Sequence, residues 1–135
     1  MINLSVPYLK GKEKKYLKDC INTNYVSTVG KYVGSFEKKF EKILGFSYSC
    51  AVNSGTSALH LALKSVGVSK DDLVIMPSYT FAATANSAIY CNAEPLFVDI
   101  DKSLNIDLKK LKLFLNKNTI SIKKKIYFKK NKKKI

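Results

Sequence analysis

Arginine and tryptophan are absent from the 135-residue sequence, histidine occurs once, and cysteine occurs three times. All 24 basic residues are therefore lysines, so the chain has no guanidinium for bidentate recognition of phosphate or carboxylate. The cysteines, Cys20, Cys50 and Cys91, share no metal-like spacing. We therefore expect neither a disulfide scaffold nor a metal site.

Long apolar runs are also lacking. The two stretches without formal charge, residues 43–63 and 73–93, are interrupted by Ser, Thr and Asn. The first fifteen residues carry charge too early to resemble a signal peptide. The sequence thus predicts no membrane span, and we expect a cytoplasmic protein. Wholesale disorder is excluded by the hydrophobic content of 46%.

Positive charge dominates, with a formal net charge of +14. Residues 120–135 hold eight of the lysines and no acidic residue. Such a run of like charge repels itself, so we expect a lysine-rich tail that is non-native or disordered. An AT-rich stretch read in the wrong frame would give this composition, since Ile, Lys, Asn, Tyr and Phe have codons made only of A and T. The alternative is a basic tail that binds nucleic acid or an anionic membrane surface, although the absence of arginine argues against specific nucleic-acid recognition.

Helix and strand patterns alternate along the remainder of the chain, which indicates parallel strands joined by right-handed crossovers. Ser35 is the predicted cap of one helix, Gly45 its stop, and Asp107 the cap of the last helix. Three strands would leave bare sheet edges, so residues 1–119 predict the front part of a larger α/β domain. The predicted helices lie at 11–23, 35–44, 57–66, 80–90 and after 107, and the predicted strands at 48–52, 73–76 and 96–98.

The chemistry is expected where strands end and helices begin. In the first such junction, residues 53–57, Gly55 permits close approach of a ligand, and Thr56 and Ser57 offer hydroxyls. The following helix presents free N–H groups, so the junction predicts an anion cradle suited to phosphate. Plain helix capping is the alternative.

Two further junctions follow. Residues 77–81 contain Phe81, whose ring could stack on a flat heteroaromatic ligand or simply pack in the core. Asp99 and Asp101 could bind a cation, but capping of the strand end is favoured. The single histidine, His60, lies in a helical segment without ligand spacing and is predicted to be structural.

The runs NSGTSALHLAL and VIMPSYTFAATANSAIYCNAEPLFVDID, together with the opening PYLKGKEKKYLKDCINTNYVSTVGKYVGSFEKKF, resemble the DegT/StrS family of sugar aminotransferases. Family members are pyridoxal-phosphate enzymes of fold type I, the aspartate aminotransferase fold. The resemblance implies an incomplete, truncated α/β large domain of three layers with a mostly parallel sheet. It divides the chain into an N-terminal segment (1–30), the first part of the cofactor-binding domain (31–119) and the tail (120–135).

The resemblance also implies a reaction. It is amination of nucleotide-linked keto-sugars for cell-surface polysaccharide or amino-sugar biosynthesis, with an amino donor such as glutamate, by a homodimer when full length. Three sets of residues match the family's cofactor-phosphate loop, its ring-stacking aromatic position and its sugar-pocket segment. They are Gly55, Thr56 and Ser57; Phe81; and Tyr25, Ser27 and Thr28.

One departure from the family pattern bears on activity. The family's Schiff-base lysine lies far downstream, after an Asp-x-Ala motif, and none of the 24 lysines stands in that context. We therefore assign no catalytic residue and expect this stretch to be inactive alone. A same-family sugar dehydratase, in which histidine replaces the lysine, remains open, as does an inactive subunit that pairs with a complete paralogue. The sequence leaves the sugar and nucleotide undetermined.

Overall fold

The computed structural model describes residues 5–123 and 125–135. The chain divides into two compact units, Met1–Ala51 and Val52–Ile135, called here the N-terminal and C-terminal units. None of the helices in the described part has the length and hydrophobicity needed to cross a bilayer. The elements in chain order are α1 (Glu13–Asn22), α2 (Lys31–Leu44), α3 (Gly55–Ser65), β1 (Leu73–Pro77), α4 (Ala82–Tyr90), β2 (Glu94–Val98), α5 (Leu108–Asn118), β3 (Thr119–Ile122) and β4 (Lys125–Phe128).

Helix α2 of the N-terminal unit begins four residues before its predicted start. Ser35 lies inside the helix, where its hydroxyl donates to the Lys31 carbonyl oxygen at 2.6 Å, so the predicted cap was wrong. Gly30 takes the N-cap position with φ 145°, a backbone conformation that a side chain disfavours. Gly45 ends the helix in the left-handed conformation (φ 72°), which confirms the predicted stop.

The strand predicted at residues 48–52 is absent, and Tyr48 is 89% exposed. The N–H groups of Ser49 and Ala51 instead donate to carboxylates on α2. Ser49 N lies 3.0 Å from Glu41 Oε1, and Ala51 N lies 2.9 Å from Glu37 Oε1. Glu37 and Glu41 stand one helical turn apart, so α2 satisfies backbone groups that a neighbouring strand would otherwise have bonded.

The C-terminal unit contains the expected parallel pair, with β1 and β2 in register from Leu73–Glu94 to Pro77–Val98. Helix α4 makes the connection between them and packs against α3. Strand β2 begins two residues earlier than predicted, and Pro95 lies within it. The buried apolar side chains are those of Leu73, Met76, Ala88, Cys91, Ala93 and Val98.

The lysine-rich segment also carries secondary structure. Strands β3 and β4 form an antiparallel hairpin, and the residues after β4 return alongside it. The Ile135 N–H donates to the Ile126 carbonyl oxygen at 2.9 Å, and the Phe128 N–H donates to that of Lys133 at 2.8 Å. This hairpin was not predicted from the composition. The domain boundary drawn between residues 119 and 120 stays a prediction.

Candidate phosphate-binding site

The turn that leads into α3 is held by its own side chains. Ser54 is the N-cap, and its hydroxyl oxygen accepts from the Ser57 N–H at 3.2 Å. The Ser57 hydroxyl donates to Asn53 Oδ1 at 2.8 Å. These short-range bonds preform the turn, so a ligand would not have to order it.

Asn53 and Ser54 are the two residues of this turn that were not among the predicted site residues. Both are exposed, and both accept a hydrogen bond from Ser57. A serine directly before an apolar helical pattern is a sequence signal for an N-cap, so Ser54 could have been assigned its capping role. The role of Asn53 carries no such signal, because it depends on the side-chain conformation of Ser57.

The start of α3 meets the requirements of an anion site. The N–H groups of Gly55 and Thr56 belong to the first turn, which has no intrahelical acceptor for them, and no acceptor is assigned to either within residues 5–123 and 125–135. A β-carbon at Gly55 would meet no atom within 4 Å, so space is open in front of the backbone. The described first turn carries no acidic residue that would neutralise the partial positive charge of the helix end. The residues present therefore fit a phosphate group.

Phe81 occupies the N-cap position of α4, the helix that packs against α3. Its side chain is 82% exposed, so the ring is not packed into the core formed by the described residues. An exposed aromatic face at this position is available for stacking on a planar ligand. The C-terminal unit thus carries the candidate phosphate turn and Phe81 at the starts of two helices that contact each other.

The other predicted residues belong to the N-terminal unit, in the connection between α1 and α2. Tyr25 and Ser27 line a cavity of about 150 Å³, whereas Thr28 does not. Pockets for whole ligands usually measure about 300–1,000 Å³, so this cavity has room for only part of a nucleotide-linked sugar. A β-carbon at Gly30 would lie 3.1 Å from Tyr25 Cβ. A side chain at position 30 would therefore crowd Tyr25 as well as strain the backbone.

A charged pair lies beside that cavity. Asp19 Oδ2 accepts from Lys31 Nζ at 2.6 Å and from the Tyr32 hydroxyl at 3.0 Å. The hydrogen bond from Lys31, followed by that from Tyr32, lowers the pKa of the Asp19 carboxyl below its usual 3.8. Burial, followed by the hydrogen bond to Asp19, raises the pKa of Tyr32. Tyr32 is therefore held as a neutral donor beside the connection between α1 and α2.

The third predicted junction is occupied by turn and capping interactions. Asp101 Oδ1 accepts from the Ser103 hydroxyl at 2.6 Å and from the Ser103 N–H at 2.7 Å, and these two hydrogen bonds lower the pKa of Asp101. Asp99 pairs with the Lys110 side chain, whose hydrogen bond lowers the pKa of Asp99. Asp107 Oδ1 accepts from two N–H groups of α5, which confirms its predicted capping role.

His60, the single histidine, lies within α3. Its ring meets Tyr90 of α4 edge-on, with ring centroids 5.8 Å apart. This contact joins the two helices that carry the candidate phosphate turn and Phe81. The packing agrees with the structural role predicted for His60.

The profile of the DegT/DnrJ/EryC1/StrS aminotransferase family matches residues 7–127. The chain belongs to this family. Its members are pyridoxal-phosphate-dependent aminotransferases, and the free N–H groups of the α3 turn are compatible with a cofactor of that kind.

Two curated relatives illustrate the similarity. A GDP-perosamine synthase of Caulobacter vibrioides is 41% identical over 90% of this chain and 33% of its own length. A UDP-4-amino-4,6-dideoxy-N-acetyl-beta-L-altrosamine transaminase of Campylobacter jejuni is 44% identical over 80% of this chain and 27% of its own. The chain therefore spans about a third of the length of such relatives.

Solved structures agree on the fold. The putative sugar aminotransferase Spr1654 of Streptococcus pneumoniae superposes with a TM-score of 0.75 at 25% identity, over 83% of this chain and 28% of that one. An Escherichia coli GDP-4-keto-6-deoxy-D-mannose-3-dehydratase gives 0.72 at 30% identity, over 84% and 31%. The α/β fold with a parallel sheet is thus that of part of a fold-type-I enzyme, as predicted.

Proposed function

We propose that this chain supplies the cofactor-phosphate region of an aminotransferase that acts on nucleotide-linked keto-sugars in cell-surface polysaccharide or amino-sugar biosynthesis. The observation that carries the proposal is the open, preformed turn at the start of α3. Relatives named as a GDP-perosamine synthase and a UDP-sugar transaminase support the substrate class. A cytoplasmic location, a homodimer and glutamate as the amino donor stay predictions.

Bound pyridoxal phosphate would supply the electron sink for amino-group transfer. The N–H groups of Gly55 and Thr56 would donate to its phosphate, as would the Thr56 hydroxyl. The Ser57 hydroxyl now donates to Asn53, and it would exchange that bond for one to the phosphate. The exposed ring of Phe81 would cover one face of the cofactor ring.

The sugar side of the proposal rests on the N-terminal unit. Tyr25 and Ser27 line its small cavity, and both offer hydroxyl groups of the kind that bind sugar oxygens. Thr28 follows them in the same connection. We propose these three residues as contacts of the nucleotide-linked sugar.

We further propose that a polypeptide of these 135 residues does not transaminate by itself. No lysine in the sequence stands in the family's Schiff-base context. Without that amine, no group holds the cofactor covalently or moves the substrate proton. The residue at the family's Schiff-base position, lysine or histidine, would also distinguish an aminotransferase from the dehydratase alternative. The aminotransferase is favoured because the two curated relatives described above are a synthase and a transaminase of amino sugars.

Pyridoxamine 5′-phosphate is the best probe of the site, because its amine cannot react with the many lysines as an aldehyde would. Equilibrium dialysis should show binding of pyridoxamine 5′-phosphate and much weaker binding of pyridoxamine, which lacks the phosphate. Gly55→Ala should lower the affinity about tenfold or more, since its methyl group occupies the space in front of the phosphate donors. Added 2-oxoglutarate should leave the bound amine unconverted.

The matched control is Gly34→Ala, in the middle of α2. A β-carbon there also meets no atom within 4 Å, so both variants make the same chemical change without a steric clash. Gly34→Ala should bind as the unaltered chain does. Equal binding of the two ligands, or unaltered binding by Gly55→Ala, would show that the α3 turn is an ordinary capped helix start.

A further inference from the structure

The last residues of the chain connect the two small sheets of the C-terminal unit. Lys134 is bridged to Tyr127 of β4 in antiparallel fashion and to Asp72, next to β1, in parallel fashion. The Leu73 N–H donates to the Lys134 carbonyl oxygen at 2.6 Å. Residues 133–135 therefore lie between β4 and β1, in the spatial order β2, β1, 133–135, β4, β3.

The contact is made on the edge of β1 that faces away from β2. The Asp72 carbonyl oxygen accepts from the Glu94 N–H of β2 at 3.0 Å. Backbone groups of successive residues point to opposite sides of a strand, so the Leu73 N–H points to the other edge. An unpaired strand edge is a template for pairing with another chain, and here residue Lys134 pairs with this edge.

Two ion pairs hold the same residues. Lys133 Nζ lies 2.6 Å from Glu94 Oε2, and Lys134 Nζ lies 3.6 Å from Asp72 Oδ1. Asp72 is buried, with 8% of its surface exposed. The hydrogen bond that Lys133 donates to Glu94 raises the pKa of Lys133, so this lysine remains charged at neutral pH. By contrast, Lys130 and Lys132 in the same segment are exposed.

We propose that residues 125–135 are an internal strap that pairs with the open edge of β1 at its first residue, Leu73, and is fastened by Lys133 and Lys134. Its positive charge is used within the molecule, on Asp72 and Glu94, at the amino end of the parallel pair. Release of the strap exposes this edge of β1. A second copy of the chain can then pair with the exposed edge in place of the strap. The strap thus keeps the C-terminal unit from associating through this edge.

Amide hydrogen exchange tests the strap directly, because the Leu73 N–H is bonded to it. In the double variant Lys133→Gln with Lys134→Gln, Leu73 should exchange about three to ten times faster, as expected for loss of two partly exposed ion pairs. The amides of Val74 and Met76, whose side of β1 faces β2, should keep their protection. Size-exclusion chromatography should show concentration-dependent association of this variant.

The matched control is Lys130→Gln with Lys132→Gln, which removes the same charge from the same segment. Leu73 should exchange in it as in the unaltered chain, and equal acceleration in both variants would overturn the strap. If the test variant unfolds, Val74 and Met76 will lose protection as well. The strap is then tested in the unaltered chain by changing the salt concentration. Raising salt from about 0.05 to about 0.5 M should then accelerate Leu73 selectively, and a salt-independent Leu73 overturns the proposal.

Discussion

The two compact units use their apolar side chains differently. In the C-terminal unit, the strands and α4 bury Leu73, Met76, Ala88 and Val98. In the described part of the N-terminal unit no residue is buried, and the large apolar side chains of α2 stay open to solvent, with Ile43 78% exposed. Burial of apolar side chains thus stabilises the C-terminal unit, whereas contacts between neighbouring helices and turns stabilise the N-terminal unit.

The difference shows which forces remain when burial is missing. In the N-terminal unit the rings of Tyr16 and Tyr32 lie 4.9 Å apart, and those of Phe36 and Phe40 lie 4.8 Å apart. An aromatic pair contributes about 0.5–1.5 kcal/mol, and full burial of one large apolar side chain about 1.5–3 kcal/mol. Substitutions should therefore cost more in the C-terminal unit, and three experiments measure the difference.

The largest effect is expected from truncation of a buried side chain. Met76 is 3% exposed, and Met76→Ala should lower the free energy of unfolding of the C-terminal unit by about 2–4 kcal/mol, through lost burial and the cavity left behind. Ile43→Ala, at an exposed position of α2, should change the free energy by less than about 0.5 kcal/mol. Amide exchange of β1 and of α2 reports the two units separately. Similar costs would show that α2 has a buried face in solution.

A smaller effect is expected from a pair of serines. Ser54 caps α3, so Ser54→Ala should destabilise the C-terminal unit by about 1 kcal/mol. Ser35 lies inside α2 and only bonds back to Lys31, so Ser35→Ala should be neutral or stabilise α2 by about 0.5 kcal/mol. Thermal unfolding followed by circular dichroism measures both. A cost at Ser35 equal to that at Ser54 would restore Ser35 as a helix cap.

The smallest effect is expected from the exposed charge pair of the N-terminal unit. Because Lys31 lowers the pKa of Asp19 in the folded state, the stabilisation is present above the unfolded pKa of the carboxyl. It is lost as pH falls through the lower folded pKa. The ring NMR signals of Tyr16 and Tyr32 should therefore shift below about pH 4, and Asp19→Asn should remove that shift. If the ring signals of Tyr16 and Tyr32 still shift with pH in Asp19→Asn, another carboxyl causes the shift.

Predictions from the sequence succeeded where the deciding contact was local. Asp107 caps α5 through N–H groups two and three residues away, and Gly45 ends α2 by its own backbone conformation. They failed at Ser35, because the helix start depends on Gly30 and its close approach to Tyr25. The strand at residues 48–52 failed for a related reason, since a strand needs a neighbour and side chains of α2 supplied the acceptors.

The candidate site divides in the same way. The turn at the start of α3 could be located from the sequence because Gly55, Thr56 and Ser57 are adjacent in the chain, and a helix start offers free N–H groups by geometry alone. Phosphate binding by this turn stays a prediction. The exposure of Phe81 could not be deduced, because a phenylalanine that follows a strand can pack in the core as readily as it can face solvent. The bond from Ser57 to Asn53 was equally inaccessible, because side-chain conformation decides it.

By itself the sequence determined the alternation of helices and strands from α3 to α5, the parallel pairing of β1 with β2, the turn at the start of α3 and the family, all of which rest on patterns of neighbouring residues. Only the tertiary structure decided which lysines of the lysine-rich segment form ion pairs. Lys130, Lys132, Lys133 and Lys134 are chemically identical and almost adjacent, yet only the last two meet Glu94 and Asp72. That distinction comes from a backbone bond between Leu73 and Lys134, residues far apart in the chain, which no local pattern encodes.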